Sequence, residues 1–197
     1  MARMALLIAA LGLIAVSAIS PASPQAPKLE KLASDIERHY EAGEYSDVLT
    51  LAREALPLAE RQYGPEHERL FPILRTFGNS YYWLNRYEEA EPLLKRTLAI
   101  RESVNGPRDL KVAEAATELA NVYYYWTGHA GDAAPLYRRA ATIVEAARGP
   151  RHAATATAVQ DLADTLAYLG QHPEAEPLSN RASYLSRARR ISSISPR

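Results

Sequence analysis

Apolar residues between Tyr87 and Pro107 recur at the spacing of one face of a helix. They are Ala90, Leu93, Leu94, Leu98, Ile100 and Val104. This pattern predicts an amphipathic helix. The helix should end at Asn105-Gly106-Pro107, because glycine suits the residue after the last turn and proline cannot continue a helix.

The same pattern recurs along the chain. Gly-Pro pairs stand at 64–65, 106–107 and 149–150, at intervals of 42 and 43 residues, which is typical of a repeat protein. Eight predicted helices with short linkers give four antiparallel pairs, at about 28–63, 67–105, 109–148 and 152–190. Since no pair can bury its apolar faces alone, neighbouring pairs must share a core. We therefore expect an all-α solenoid.

Composition removes several classes of function. Lysine plus arginine number 23 and aspartate plus glutamate 23, so the formal net charge is +0 and the basic field of a general nucleic-acid binder is lacking. Cysteine is absent, which excludes disulfides, thiolate metal sites and a cysteine nucleophile. The sequence carries no His-Glu-x-x-His pair, no glycine-rich phosphate loop and no Gly-x-Ser-x-Gly elbow. We expect no enzyme, no cofactor and no metal site.

Three motifs together resemble the tetratricopeptide repeat (TPR), in the 42-residue variety found in kinesin light chains and many bacterial proteins. The motifs are a Leu-Ala-x-x-Tyr pattern in first helices, a Gly-x-Tyr turn within a pair, and Gly-Pro-x-His between pairs. They stand as Leu119-Ala120 with Tyr123, with weaker copies at 77–81 and 162–166; Gly43-Glu44-Tyr45; and Gly64-Pro65-Glu66-His67 and Gly149-Pro150-Arg151-His152. The resemblance covers residues 28–190. It implies a right-handed superhelix whose first helices line a concave groove for an extended peptide or a partner's helix.

The resemblance also assigns groove positions, residue by residue. The expected groove consists of Asn79, Tyr82, Trp83, Thr117, Asn121, Tyr124, Tyr125, Asp164 and Tyr168. Asparagine can donate to and accept from a peptide backbone, and tyrosine and tryptophan give rigid contact area. The alternative for the aromatic residues is packing between repeats. Tyr81 and Tyr123 occupy core positions of the family.

One known TPR function can be examined on the same positions. TPR proteins that bind chaperone tails hold a C-terminal carboxylate with lysine and arginine side chains in the groove. Here we place Ala33, Leu74, Thr117 and Val159 where the first such lysine would stand. The resemblance therefore predicts no carboxylate clamp.

The first 27 residues differ from the rest. Arg3 is their only charge, residues 5–16 are apolar, and small residues and prolines follow. This order predicts a signal peptide at 1–22, cleaved after Ala18 or Ala22, and a proline-rich linker at 23–27. We expect export, with a periplasmic location. The alternative is an inner-membrane anchor at residues 4–19, although the apolar run is shorter than the roughly 20 residues of a spanning helix.

The sequence thus favours a non-catalytic adaptor that binds another protein in its groove. The alternative is a structural subunit that forms a homodimer through residues 173–190, because no polar capping helix follows the last pair and its apolar side is left available. Residues 191–197 are expected to form a disordered basic tail. For that tail, a peripheral contact with anionic lipid is the alternative to simple solvation.

Overall fold

The computed structural model describes residues 26–194, and side chains as far as residue 187. This part of the chain holds eight α-helices and no strand. Their bounds are α1 (Ala26–Glu41), α2 (Tyr45–Tyr63), α3 (Phe71–Trp83), α4 (Tyr87–Asn105), α5 (Leu110–Tyr125), α6 (Ala130–Arg148), α7 (Ala153–Tyr168) and α8 (His172–Ile194). The all-α prediction is confirmed.

Consecutive helices pack against each other throughout residues 26–194. The pairs α1–α2, α3–α4, α5–α6 and α7–α8 form the repeats, and α2–α3, α4–α5 and α6–α7 join them. One cluster of buried apolar residues runs through the stack from Leu29 to Ala175. The predicted solenoid of four stacked pairs, with a shared core, is therefore confirmed.

The turns between pairs repeat one local design. Gly64, Gly106 and Gly149 have φ angles of 93°, 82° and 90°, a region that side chains with a Cβ rarely adopt. Each is followed by a proline and then, after one more residue, by the residue that caps the next helix. The capping residues are His67, Asp109 and His152, and each side chain accepts a hydrogen bond from the backbone N–H two residues later.

Some boundaries differ from the predicted ones. A 3-10 turn at Glu68–Leu70 precedes α3, which starts at Phe71 with Pro72 in its first turn, where the missing N–H costs nothing. Helix α1 begins at Ala26, inside the predicted linker, and α8 continues to Ile194, inside the predicted tail. The predicted signal peptide, both cleavage sites and the anchor alternative at 4–19 lie outside the described residues.

Helices α3 and α4 approach closely at Gly78. A Cβ added there would lie 2.8 Å from Leu94 Cγ, so only glycine fits without a shift of the core. Ala120 and Ala163 take the same place in later pairs and are buried. Ile36 occupies it in the first pair and is buried as well.

Three Glu–Arg ion pairs link the second helices of neighbouring pairs; we refer to them as the Glu–Arg bridges. They join Glu60 to Arg96, Glu102 to Arg139 and Glu145 to Arg181. Arg96 and Arg139 also donate to the carbonyls of Pro65 and Pro107, the prolines of the inter-pair turns. Lys95, next to Arg96, pairs within its own helix and lies 2.6 Å from Glu91, whereas Arg96 reaches the preceding repeat.

Within residues 26–194, no helix combines the length and the apolarity that crossing a membrane requires.

Candidate binding groove

Seven aromatic rings form a continuous chain of contacts across all four helix pairs; we call it the aromatic ladder. In contact order the rings are Tyr40, Tyr45, Trp83, Tyr82, Tyr125, Tyr124 and Tyr168. Neighbouring ring centroids are 5.0 to 6.0 Å apart, in stacked, tilted or edge-on arrangements. Six of the seven rings come from the C-terminal ends of first helices, so the ladder follows from the repeat. Tyr45, at the start of α2, bridges Tyr40 to Trp83.

Much of the ladder is open to solvent. Trp83, Tyr125 and Tyr168 are 54%, 57% and 65% exposed, and Tyr40, Tyr82 and Tyr124 are half-buried. The rings contact one another between repeats and also present an outer surface. The aromatic side chains therefore both pack between repeats and form part of the exposed surface, so each of the two interpretations from the sequence is partly correct.

The polar groove residues occupy different environments. Asn79 is only 7% exposed and lowers the pKa of the nearby Glu118 carboxyl, against the larger effect of burial. Asn121 is half-buried, and its Oδ1 accepts a hydrogen bond from the Tyr137 hydroxyl at 2.5 Å. Thr117 donates to the carbonyl of Ala113 on its own helix at 2.9 Å. Of these predicted polar residues, only Asp164 is exposed, and it accepts from Gln160 at 2.7 Å.

Two of the four residues assigned to clamp positions from the sequence, on α3 and α7, are each one residue away from the side chain that is accessible. Leu74 and Val159 are 0% and 2% exposed and belong to the core, so they cannot face the groove. Their neighbours Arg75 and Gln160 carry the accessible side chains. Arg75 is therefore an exposed cation next to a position at which the sequence analysis placed an apolar residue. Its guanidinium lies 2.6 Å from the carboxylate of Glu118.

The tyrosines expected in the core are there. Tyr81 and Tyr123 are each 6% exposed, and their hydroxyls bond Arg53 and Glu91 on neighbouring helices. Tyr137 is 4% exposed. Trp126 departs from the ladder, because it ends α5 in an extended conformation and stacks on His129 at 4.0 Å.

Acidic side chains gather where α3, α5 and α7 face one another. A pocket of about 430 Å³ there is lined by Arg75, Glu114, Thr117, Glu118, Thr157 and Asp161, among others. Burial raises the pKa of the Glu118 carboxyl, although Arg75 opposes that effect. Burial and then the charge of Asp164 raise the pKa of Asp161 to about 6. Sequence reasoning missed Asp161, since a single aspartate in a helix usually marks a solvated face.

A separate cluster lies at the turn between α1 and α2. Among the described residues, His39, Glu44 and Asp47 form one group with donor atoms close enough to hold a metal ion. His39 Nδ1 is already hydrogen-bonded to Glu44, and both carboxylates are exposed. The histidine–glutamate contact joins the end of α1 to the turn before α2.

The C-terminal end of the solenoid carries an open cleft between α7 and α8. It measures about 390 Å³, and Thr157, Gln160, Asp161, Ser183, Ser186 and Arg187 line most of it. Leu178 and Leu185 are half-buried, while Tyr184 is 71% exposed. The surface available to a second copy is therefore more polar than the sequence pattern indicated.

Known proteins match this architecture. The profile of the tetratricopeptide repeat family matches residues 38–103, 70–140 and 111–188. The crystal structure of BtubC (BKLC) from P. vanneervenii is 17% identical, with a TM-score of 0.75 over 86% of this chain and 66% of that one. The MamA RS-1 ArsTM double mutant is 19% identical, with a TM-score of 0.63 over 82% and 76% of the two chains.

A putative kinesin light chain from Podosopora anserina, with nearly identical TPR-like repeats, is 15% identical; it gives a TM-score of 0.50 over 81% of this chain and 95% of that one. At such identities these structures show a shared fold. A search of curated proteins finds no match. The family profile spans most of the chain and agrees with its helix pairs and turns. The protein therefore belongs to the tetratricopeptide repeat family.

Proposed function

We propose that this protein is a non-catalytic adaptor that holds an extended peptide or a helix of another protein in its concave groove. Repeats of this family form protein–protein interaction modules, and the helices supply a curved surface instead of a closed catalytic pocket. The proposal adds to this general role a specific location for the partner, the concave groove. The partner's identity is left to the experiment.

The observation that carries the proposal is the aromatic ladder. Trp83, Tyr125 and Tyr168 remain more than half exposed although their rings touch other rings. Keeping such apolar area in water forgoes about 25 cal/mol per Å² of burial, which a partner could recover. Tryptophan and tyrosine also dominate the residues that contribute most to protein–protein affinity.

The test is affinity capture from a cell-envelope extract with the tagged full chain and a triple variant, Trp83→Ala, Tyr125→Ala and Tyr168→Ala. These exposed rings can be removed with little loss of core packing. Asn121 is unsuitable for the test, because its loss would leave the buried Tyr137 hydroxyl without its acceptor. The matched control is Tyr184→Ala, which removes an exposed tyrosine outside the ladder.

We expect the wild type and the control to retain the same partner and the triple variant to lose it. Circular dichroism should show equal helix content for all three proteins. Equal retention of the partner by the triple variant would remove the ladder from the function.

Self-association through residues 173–190 is the second candidate, favoured by the exposed ring of Tyr184 at the open end of the solenoid. Size-exclusion chromatography with light scattering separates the two candidates. The adaptor is expected to be monomeric, whereas a dimer that Tyr184→Asp converts to a monomer would support the structural subunit. Leu178 is less suitable for this test because it packs against the core.

Export to the periplasm remains part of the proposal, based on the N-terminal sequence alone. Fractionation of cells expressing the full chain, with mass determination of the recovered protein, tests it. Mature protein in the periplasmic fraction, starting after Ala18 or Ala22, supports cleavage. Full-length protein in the membrane fraction supports the anchor at 4–19.

A further inference from the structure

A small cavity opens beside the aromatic ladder, between α5, α6 and α7. Its lining consists of Asn121, Tyr124, Tyr125, Tyr137, Asp161, Asp164 and Thr165. Its volume is about 150 Å³, roughly five times the share of one molecule in liquid water. The cavity thus has room for the end of one long side chain. We call it the Tyr–Asp cavity.

The two carboxylates of this cavity have no basic partner in the part of the chain whose side chains are described. Among the described residues, no lysine, arginine or histidine nitrogen lies within 4.0 Å of an oxygen of Asp161 or Asp164, whereas Arg75 neutralises Glu118 nearby. Asp161 is half-buried, and the charge of Asp164 adds to the unfavourable effect of its burial. The ionisable groups that share adjoining cavities with Asp161 are Arg75, Glu114, Glu118, Tyr124, Tyr125, Tyr137, Asp164 and Arg187.

The rest of the lining also favours positive charge. Tyr124 and Tyr125 stand nearly perpendicular, with ring centroids 5.0 Å apart, and aromatic faces attract cations. The Tyr137 hydroxyl donates its proton to Asn121 Oδ1, so that proton is not free for Asp161. Tyr124 and Asp164 line the same cavity, and burial, and then the charge of Asp164, raise the pKa of Tyr124.

We propose that the Tyr–Asp cavity binds a lysine or arginine side chain of the partner segment that lies along the ladder. This inference rests on the proposed function and adds the chemistry of the partner. A cation would neutralise two carboxylates and lie against two aromatic rings. An acidic or apolar side chain would leave Asp161 half-buried and without a counter-charge, at a cost in desolvation.

The experiment is an NMR titration of the full chain, with ¹³C-labelled tyrosine rings, against ten-residue peptides of alternating glycine and serine. The peptides differ only at one central position, which holds lysine, arginine, norleucine or glutamate. NMR suits the measurement because it detects the weak affinity of a single side chain. We expect the lysine and arginine peptides to shift the Tyr124 and Tyr125 resonances in a saturable way. Norleucine should bind at least tenfold more weakly, and glutamate should cause no saturable shift.

Variants locate the effect. Asp161→Asn and Asp164→Asn should each weaken the lysine peptide about tenfold or more. Glu176→Gln, which removes one negative charge from the exposed side of α8, should leave its affinity unchanged. Equal binding of the norleucine and lysine peptides, no shift with any peptide, or unchanged affinity in both aspartate variants would overturn the inference. Cadaverine binding as tightly as the lysine peptide would assign the cavity to a free diamine instead of a partner side chain.

Failure of this inference differs visibly from failure of the proposed function. If the ladder variants lose the captured partner while Asp161→Asn retains it, the groove function stands and the cation site is rejected. If the ladder variants retain the partner while the lysine peptide still needs Asp161, the cavity binds cations and the groove function is rejected.

Discussion

Acidic side chains are paired differently on the two faces of the solenoid, one formed by the second helices and the other by the first helices. Along the second helices, Glu60, Glu102 and Glu145 each meet an arginine from the next repeat. Along the first helices, Arg75 is ion-paired to Glu118, while Asp161 and Asp164 lie without a basic partner among the described residues. The first arrangement repeats with the period of the chain. The second is confined to the part of the groove between α5 and α7.

The Glu–Arg bridges hold neighbouring repeats together, whereas the unpaired carboxylates remain available to bind a ligand. Each Glu–Arg bridge joins two repeats, and in two of the three the arginine, Arg96 or Arg139, also donates to a turn carbonyl. An unpaired, half-buried carboxylate does the reverse, because its ionised form loses hydration without gaining a counter-charge. Natural proteins commonly give up stability in this way where a site must bind a ligand.

The largest expected effect concerns the core that both faces share. Leu94 is 0% exposed and packs where α3 and α4 approach closely at Gly78. Leu94→Ala should lower the free energy of unfolding by about 3 kcal/mol, since it removes buried methyl groups and leaves a cavity. Urea unfolding measures this loss, and Leu93→Ala, at a half-buried neighbour, should cost clearly less. Equal losses for the two variants would contradict this description of the interface.

The second-largest expected effect concerns the Glu–Arg bridges between the second helices. A double-mutant cycle with Glu102→Gln and Arg139→Gln should give a coupling free energy of about 1 kcal/mol, because both side chains are about two-thirds buried. The pair Lys28–Glu54, whose side chains are 59% and 49% exposed, is the matched control and should give less than about 0.5 kcal/mol. The Glu102→Gln variant should leave the affinity for the lysine peptide unchanged. Weaker peptide binding would mean that the two faces are not independent.

Removal of the negative charge of Asp161 is expected to stabilise the protein. The folded-state pKa of Asp161, about 6, lies above its unfolded value of about 3.9, so the ionised carboxylate opposes folding. This cost is absent below about pH 4 and fully present above about pH 6. The shift corresponds to at most about 3 kcal/mol, and solvent screening of this half-buried group reduces the expected figure to about 1 kcal/mol. Asp161→Asn should therefore stabilise the protein by about 1 kcal/mol at pH 7.

Urea unfolding of both proteins between pH 4 and pH 7 measures that gain, which should vanish toward pH 4. A stability difference that does not change over this range would show that Asp161 titrates like a solvated carboxyl. Asp132→Asn, at an exposed aspartate on α6, is the control and should show no such gain.

The smallest expected effect on stability is that of a substitution in the aromatic ladder that should weaken binding without affecting folding. Tyr168→Ala removes a ring that is 65% exposed at the end of the ladder, so the free energy of unfolding should change by less than about 0.5 kcal/mol. Retention of the captured partner should nevertheless fall. A loss of stability above 1 kcal/mol would show that the contact between Tyr168 and Tyr124 mainly holds the repeats together.

The sequence predicted the fold well, because the fold depends on local signals that repeat. The apolar spacing in α4 and the glycines before Pro65, Pro107 and Pro150 could each be recognised within a single repeat. Five of the seven ladder rings, at positions 82, 83, 124, 125 and 168, were also predicted from the sequence as groove residues. Tyr45 was not, because its contact with Trp83 joins two repeats.

The candidate site was predicted less completely. Asn79 and Asn121 were expected to be similar groove amides, but one is buried against Glu118 and the other accepts from Tyr137. In α3 and α7 the predicted row fell on Leu74 and Val159, which belong to the core. An error of one residue turns a helix by about 100°, so it exchanges a core position for a groove position. The helical pattern alone does not fix the rotation of a helix within the stack to that precision.

The sequence by itself determined the repeat, the helix pairs, the turns and the supply of aromatic residues in the first helices, because each follows from residues close together in the chain. Only the tertiary structure decided which charges meet. The partners in each Glu–Arg bridge lie 36 or 37 residues apart. Asp161 of α7 faces a cavity that it shares with residues of α5 and α6, and no basic partner of it is found among the described residues. Burial and pairing depend on side chains that reach across repeats, and a helical pattern read one segment at a time carries no information about those distances.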